Sequence, residues 1–313
     1  MNWKDFPNLN RKGQIRFLTM RDGTKIRTAS WPSQDNSRAI IVLVNGHREY
    51  MEKYSELISD LLMRNYAVYA FDNRGQGLSD RLLPDRQKSY AEDFGLFSDD
   101  LDEFMAQTVM ADPRAQELPR YLISHSMGGH ICLRYLHDFP GAIEKAVIMA
   151  PMVEFNLGNS MTRTVLKFFM RCARRLGFDK SFAMGQGAAH SRVPDLVKQK
   201  LLTHDNERYA QEADIIEANP DLYVGGATYG WLNTALDSIE KIHQAGFLEK
   251  ISIPLLVVVA GADLVVDSKA SRDLLSGYDN IDLVTIEGAR HEIYRESDQY
   301  RDQLWQKIDD FLK

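Results

Sequence analysis

Cysteine is scarce: Cys132 and Cys172 are the two among 313 residues. That is too few for a disulfide framework and fits a reducing compartment, so both read as buried, inert thiols. Basic charge is not in excess. Lysine and arginine total 38 against 44 aspartates and glutamates, a formal net charge of −6, which argues against nucleic acid as the main partner. Long apolar runs are also missing. None approaches the length needed to cross a bilayer, and Met1-Asn2-Trp3-Lys4-Asp5-Phe6-Pro7 has no apolar core of the signal-peptide kind. The expected location is cytoplasmic, or peripheral on the inner membrane face. No cluster of cysteines and histidines has metal-ligand spacing, so no metal or cofactor is expected.

Hydrophobic residues at 44% and charged residues at 26% are ordinary for a globular protein with a large core. A hairpin opens the chain, with Ile15, Phe17 and Leu18 on one strand, Ile26 to Ala29 on the next, and an Asp22-Gly23 turn between them. The runs at 39–44, 67–71, 121–123, 146–149 and 254–260 are apolar, and 281–286 reads as a last strand. Continuous runs of this kind are strands buried on both faces of a parallel sheet, with helices between them. After Pro151 the alternation stops, and helical and loop-like sequence follows until it resumes at Pro254. The expected architecture is one α/β domain, residues 1–152 and 229–313, interrupted after the sixth strand by a helical cap at 153–228.

The most informative stretch is Arg120-Tyr121-Leu122-Ile123-Ser124-His125-Ser126-Met127-Gly128-Gly129-His130. It reads as strand, tight turn and helix with Ser126 at the corner. That geometry thrusts a serine hydroxyl out where the next backbone N–H and the helix N-terminus face a reacting carbonyl. Ser124 stands where the pattern G-x-S-x-G has its first glycine, and a slightly wider turn would absorb it.

A serine hydroxyl needs a positioned base. In this arrangement acid and base follow the serine in chain order, on loops at the carboxyl ends of the last strands. Gly261-Ala262-Asp263 directly follows one late strand and Gly288-Ala289-Arg290-His291 directly follows the other. Of the eight histidines, His291 alone has this context. His125 lies in the turn with its ring expected to face away from the pocket. His130 and His137 read as packing or solvated residues, and His190, His204 and His243 lack matching context. Asp263 is taken as the acid, with Asp267 capping a helix that starts near Ser268. The backbone N–H groups of Met127 and of His47, in the loop after the 39–44 strand, would hold a developing oxyanion. Arg74, in Asp72-Asn73-Arg74-Gly75-Gln76-Gly77, has two readings: a bidentate contact to substrate phosphate, or a tie between neighbouring loops.

With these residues in place the chain resembles the α/β-hydrolase superfamily, and within it the monoacylglycerol lipases and bacterial lysophospholipases. The resemblance rests on Asn45-Gly46-His47, Asp72 to Ser79, Ser124 to Gly129, Val224-Gly225-Gly226-Ala227-Thr228-Tyr229-Gly230-Trp231, Gly261-Ala262-Asp263 and Glu287 to Glu292. Asn45 departs from the family's oxyanion-loop histidine. The resemblance implies an α/β-hydrolase fold, a Ser126–Asp263–His291 triad, and a small lipid-like carboxylic ester as substrate. Between Met161 and Phe178 the insertion reads as an amphipathic helix, with Arg163, Lys167, Arg171 and Arg175 on one side and Val165, Leu166, Phe169, Met170 and Ala173 on another. Two readings of it are open: a lid helix with a solvated basic side, or one that also docks on anionic lipid.

Overall fold

The computed structural model describes residues 13–156, 160–188 and 196–313. Its first two strands, β1 (Gln14–Thr19) and β2 (Lys25–Trp31), form the expected hairpin and pair antiparallel. β3 (Ala39–Val44) and β4 (Tyr66–Phe71) follow, both wholly buried, as runs apolar on both faces require. β5 (Arg120–His125), β6 (Lys145–Met149), β7 (Leu255–Ala260) and β8 (Ile281–Ile286) complete one eight-stranded sheet in the order β1-β2-β4-β3-β5-β6-β7-β8. From β4 to β8 every neighbouring pair is parallel.

Helices cover both faces of the sheet, so two separate apolar layers form. One packs α2 (Gly95–Phe104) and α3 (Met127–Asp138) over Ile40, Val42, Leu122 and Ile148. The other packs α1 (Ser55–Met63) and α9 (Asp298–Phe311) over Ile41, Leu43, Ile123 and Val147. The alternation along β3 and β5 sends successive side chains to opposite layers. α8 (Ser268–Leu275) joins β7 to β8, and Asp267 caps it as expected, its carboxylate accepting from the Ala270 N–H at 2.9 Å.

Between β6 and β7 lie α4 (Ser160–Arg175), α5 (Leu196–Leu202), α6 (Asn206–Ala218) and α7 (Tyr229–Ile242). The orientation of α4 differs from the sequence expectation. Three of its basic residues face acids near and on α7, Lys167 to Glu154 (3.4 Å), Arg171 to Glu240 (2.7 Å) and Arg174 to Asp237 (3.4 Å), while Arg175 is exposed. Val165, Phe168 and Phe169 are exposed instead, the two phenylalanines by 64% and 62%. The acids of α7 claim the cations, and the aromatic side is left outward. The side chains of Arg163 and Leu166 lie outside the described set, as does His190. Among the described residues no helix is long and apolar enough to cross a membrane.

Candidate active site

Ser126 joins β5 to α3 with φ 54° and ψ −117°. A residue with a side chain holds that left-handed backbone at a cost of about 1–3 kcal/mol, so the surroundings must enforce it. They do so through close approach. The Ser126 N–H donates to the Met149 carbonyl of β6 (2.9 Å), and its own carbonyl accepts from the Met152 N–H (3.0 Å). A Cβ on Gly128 would stand 2.1 Å from the Val44 carbonyl oxygen, so only glycine lets α3 start this close to β3. Ser124 does not widen the turn. It stays inside β5 and its hydroxyl donates to the Val147 carbonyl at 3.3 Å.

The loops after β7 and β8 bring the other two side chains to the serine. The Ser126 hydroxyl lies 3.0 Å from His291 Nε2, and His291 Nδ1–H donates to Asp263 Oδ2 at 2.7 Å. Asp263 is held in turn, its Oδ1 accepting from the N–H groups of Val265 (2.8 Å) and Val266 (3.0 Å). Burial disfavours charge on the His291 ring. The negative charge and hydrogen bond of Asp263 outweigh it, with help from Glu292 and Glu49, and raise the imidazole above its ordinary value. Burial likewise opposes charge on Asp263, but His291 and two backbone donors hold that carboxyl below the usual range.

Met127 starts α3 directly after Ser126, and His47 sits in the loop after β3. Among the described residues neither backbone N–H has an intramolecular acceptor. The 46–48 loop is pinned from both sides. Gln76 accepts from the Arg48 N–H and donates to the Gly46 carbonyl (3.1 Å), and Glu49 Oε2 accepts from the Gly46 N–H (2.6 Å). The His47 ring stacks on Trp231, with centroids 3.9 Å apart, and its Nε2 is 2.6 Å from the Ser89 hydroxyl. Burial and the adjacent Arg48 push this imidazole down to about 3, so it is neutral at physiological pH. Arg74 is turned to protein: its guanidinium grips Asp100 (2.7 Å from Nε) and Asp22 (2.8 Å from Nη1), tying α2 to the β1–β2 turn.

Sequence reasoning missed the layer beneath His291. His125 Nε2–H donates to the His291 carbonyl (3.0 Å), and its Nδ1 lies 3.2 Å from Glu49 Oε2. The same carboxylate takes a hydrogen bond from the Tyr54 hydroxyl and, through Oε1, from Tyr294 at 3.2 Å. The available signal was Glu49 and Lys53, two ionisable residues one helical turn apart at the entrance to an apolar helix.

Residues 35–298 match the model of a family described as serine aminopeptidase, S33. The chain is 30% identical over 304 residues to lysophospholipase L2 of Escherichia coli strain K12, covering 93% of this chain and 85% of that one. It is also 30% identical over 275 residues to a probable lysophospholipase L2 of Haemophilus influenzae, covering 88% and 84%. Among solved structures, a soluble variant of monoglyceride lipase from Saccharomyces cerevisiae superimposes with a TM-score of 0.79 at 19% identity, covering 98% of both chains. With the parallel sheet and its flanking helices, these matches identify the chain as a member of the serine aminopeptidase S33 family, an α/β-hydrolase of the lipase-like group of carboxylic ester hydrolases.

Proposed function

We propose that the chain hydrolyses lipid-like carboxylic esters, a lysophospholipid or a monoacylglycerol, by two-step acyl transfer at Ser126. The observation that carries this reading is the continuous relay from the Ser126 hydroxyl through His291 to Asp263. His291 Nε2 takes the hydroxyl proton as Ser126 attacks the ester carbonyl. The N–H groups of Met127 and His47 hold the oxyanion, and His291 returns the proton to the leaving alcohol. Water activated by the same imidazole then releases the fatty acid. Asp263 keeps Nδ1 protonated and stabilises the imidazolium as it forms.

In this reading residues 153–228 are the cap over the pocket, between core segments 1–152 and 229–313, and the protein works in the cytoplasm or on the inner membrane face. Contact with lipid is made by the exposed aromatic side of α4, because three of its described bases, Lys167, Arg171 and Arg174, are engaged by acids. Arg175 alone of the described ones stays exposed with no acid beside it among the described residues. The names of the relatives support a lipid ester as substrate, and the family's description keeps a peptide bond in view.

Ser126→Ala tests the mechanism. Its kcat on a chromogenic short-chain ester should fall by up to about a millionfold, as when a serine nucleophile is removed elsewhere, with circular dichroism unchanged. A parent-like rate sinks the assignment. A panel of lysophosphatidylcholine, monoolein and an aminoacyl p-nitroanilide assigns the substrate, and preference for the anilide would move the chain to the peptidase side.

A further inference from the structure

The insertion between β6 and β7 does not behave as one piece. While α4 rests on α7 at the surface, the stretch Leu202–Glu212 is bonded into the loop that carries His291. The Glu292 N–H donates to the Leu202 carbonyl (2.9 Å), Arg290 Nη1 to the Thr203 carbonyl (2.7 Å), and the Thr203 hydroxyl to the Arg295 carbonyl (2.9 Å). These bonds approach His291 from both sides along the backbone. Glu212, the seventh residue of α6, turns its carboxylate toward the protein interior. Its carboxylate is 3.2 Å from Lys53 Nζ and accepts from Arg295 Nη1 at 2.9 Å, with 14% of the side chain exposed.

Lys53 and Arg295 are each more than nine-tenths buried, and both also hold Glu292, at 2.6 and 3.0 Å. Lys53 lies 3.5 Å from Glu49, the carboxylate that engages His125 under the His291 carbonyl. Two cations and three carboxylates thus form one closed cluster, and a buried charge without its partner is strongly unfavourable. Two of its members, Glu292 and Arg295, lie on the loop that carries His291, so loss of a partner bears on that loop.

We infer that Glu212, a residue of the insertion, is a positioning residue for His291: it completes the cluster with Lys53 and Arg295 that fixes the loop bearing the base. This rests on the proposed role of His291. The second half of the insertion therefore belongs functionally to the core, and only the α4 half is free to serve as a cover.

The charges give the inference a signature that simple loosening lacks. His291 faces Asp263, Glu292, Glu49 and His125. Glu212→Gln removes a negative charge from the cluster that holds Glu292 and Glu49, the carboxylates that raise His291 after Asp263. It should move the acid limb of kcat/KM to lower pH. Lys53→Met removes a positive charge and moves it to higher pH.

The test uses the full chain and p-nitrophenyl butyrate, an ester too small to depend on the cap for binding. Glu212→Gln should lower kcat about tenfold to a hundredfold, the cost of a remote misplacement, with KM changed less than about twofold. Glu212→Asp should recover part of the loss. Arg290→Met, which removes one surface tie without touching the buried charges, should lower kcat in the same sense and remains informative where Glu212→Gln does not fold. A parent-like kcat in either folded variant, or acid limbs that move the same way in Glu212→Gln and Lys53→Met, overturns the inference. His291→Ala separates the two levels: if that variant keeps the parent rate, the assigned base is wrong. If it is inactive while Glu212→Gln is parent-like, the positioning role alone falls.

Discussion

His291 sets the pH behaviour of the proposed reaction. Burial alone would make its imidazolium costly, but Asp263 reverses the balance and raises it above its ordinary value of 6.5. Catalysis needs the neutral ring as base, so the acid limb of kcat/KM should lie above 6.5 and activity should fall as pH drops through it. Asp263→Asn removes the main raising effect and the acceptor that fixes Nδ1–H. It should move the limb down and reduce kcat by about 10⁴. An unmoved limb in a pH–rate profile of Asp263→Asn would detach the carboxylate from the base. The sign for stability follows from the same pair. A raised imidazole contributes stability below its unfolded value of 6.5, and this is lost as pH rises through its folded value. The lowered carboxyl of Asp263 contributes above its unfolded value of 3.8, and this is lost as pH falls through its folded value.

At the scale of elements, α4 is where patterning was legible and orientation was not. The spacing of Lys167 and Arg171 marked an amphipathic helix and the structure has one, yet no pattern within the helix could say that Glu154, Asp237 and Glu240 would take its cations. Paired surface charges contribute little to binding at a distance. Burying one phenylalanine side chain is worth about 1.5–3 kcal/mol when complete. Lipid contact through this face should therefore be driven by Phe168 and Phe169. Replacing both with serine should weaken sedimentation with phosphatidylcholine vesicles by about tenfold or more. Adding phosphatidylserine should change the parent little, and binding should survive about 1 M salt, where screening acts over roughly 3 Å. Binding that requires anionic lipid, disappears in salt and ignores the phenylalanine changes would refute the orientation.

For the molecule as a whole, what could be read in advance was what depends on local pattern. β3 begins and ends at the residues its apolar run marks, and Asp267 caps α8, because burial on two faces and a capping carboxylate leave their mark on consecutive residues. Partners joined only by folding left no such mark. Glu49 and Tyr294 are 245 positions apart, and His130 meets Ser238 across 108. His130 was read as a packing or solvated residue, and its burial has a consequence for the entire fold. It is fully buried on α3, donating from Nδ1 to the Met152 carbonyl (3.0 Å) and accepting at Nε2 from Ser238 (2.7 Å). Burial first, then the charge of Arg134, pushes it down from 6.5 to about 3. Between those values the unfolded chain binds a proton that the native protein refuses. Unfolding free energy should then decrease as pH falls, by about 1.4 kcal/mol per pH unit from this one group. His130→Gln retains a polar side chain but cannot take up that proton. Urea unfolding measured from pH 6 down to pH 4.5, within the window set by the cited values, should show a shallower decline in the variant by close to one proton. Parallel curves for parent and variant would mean that the native protein accommodates charge at His130.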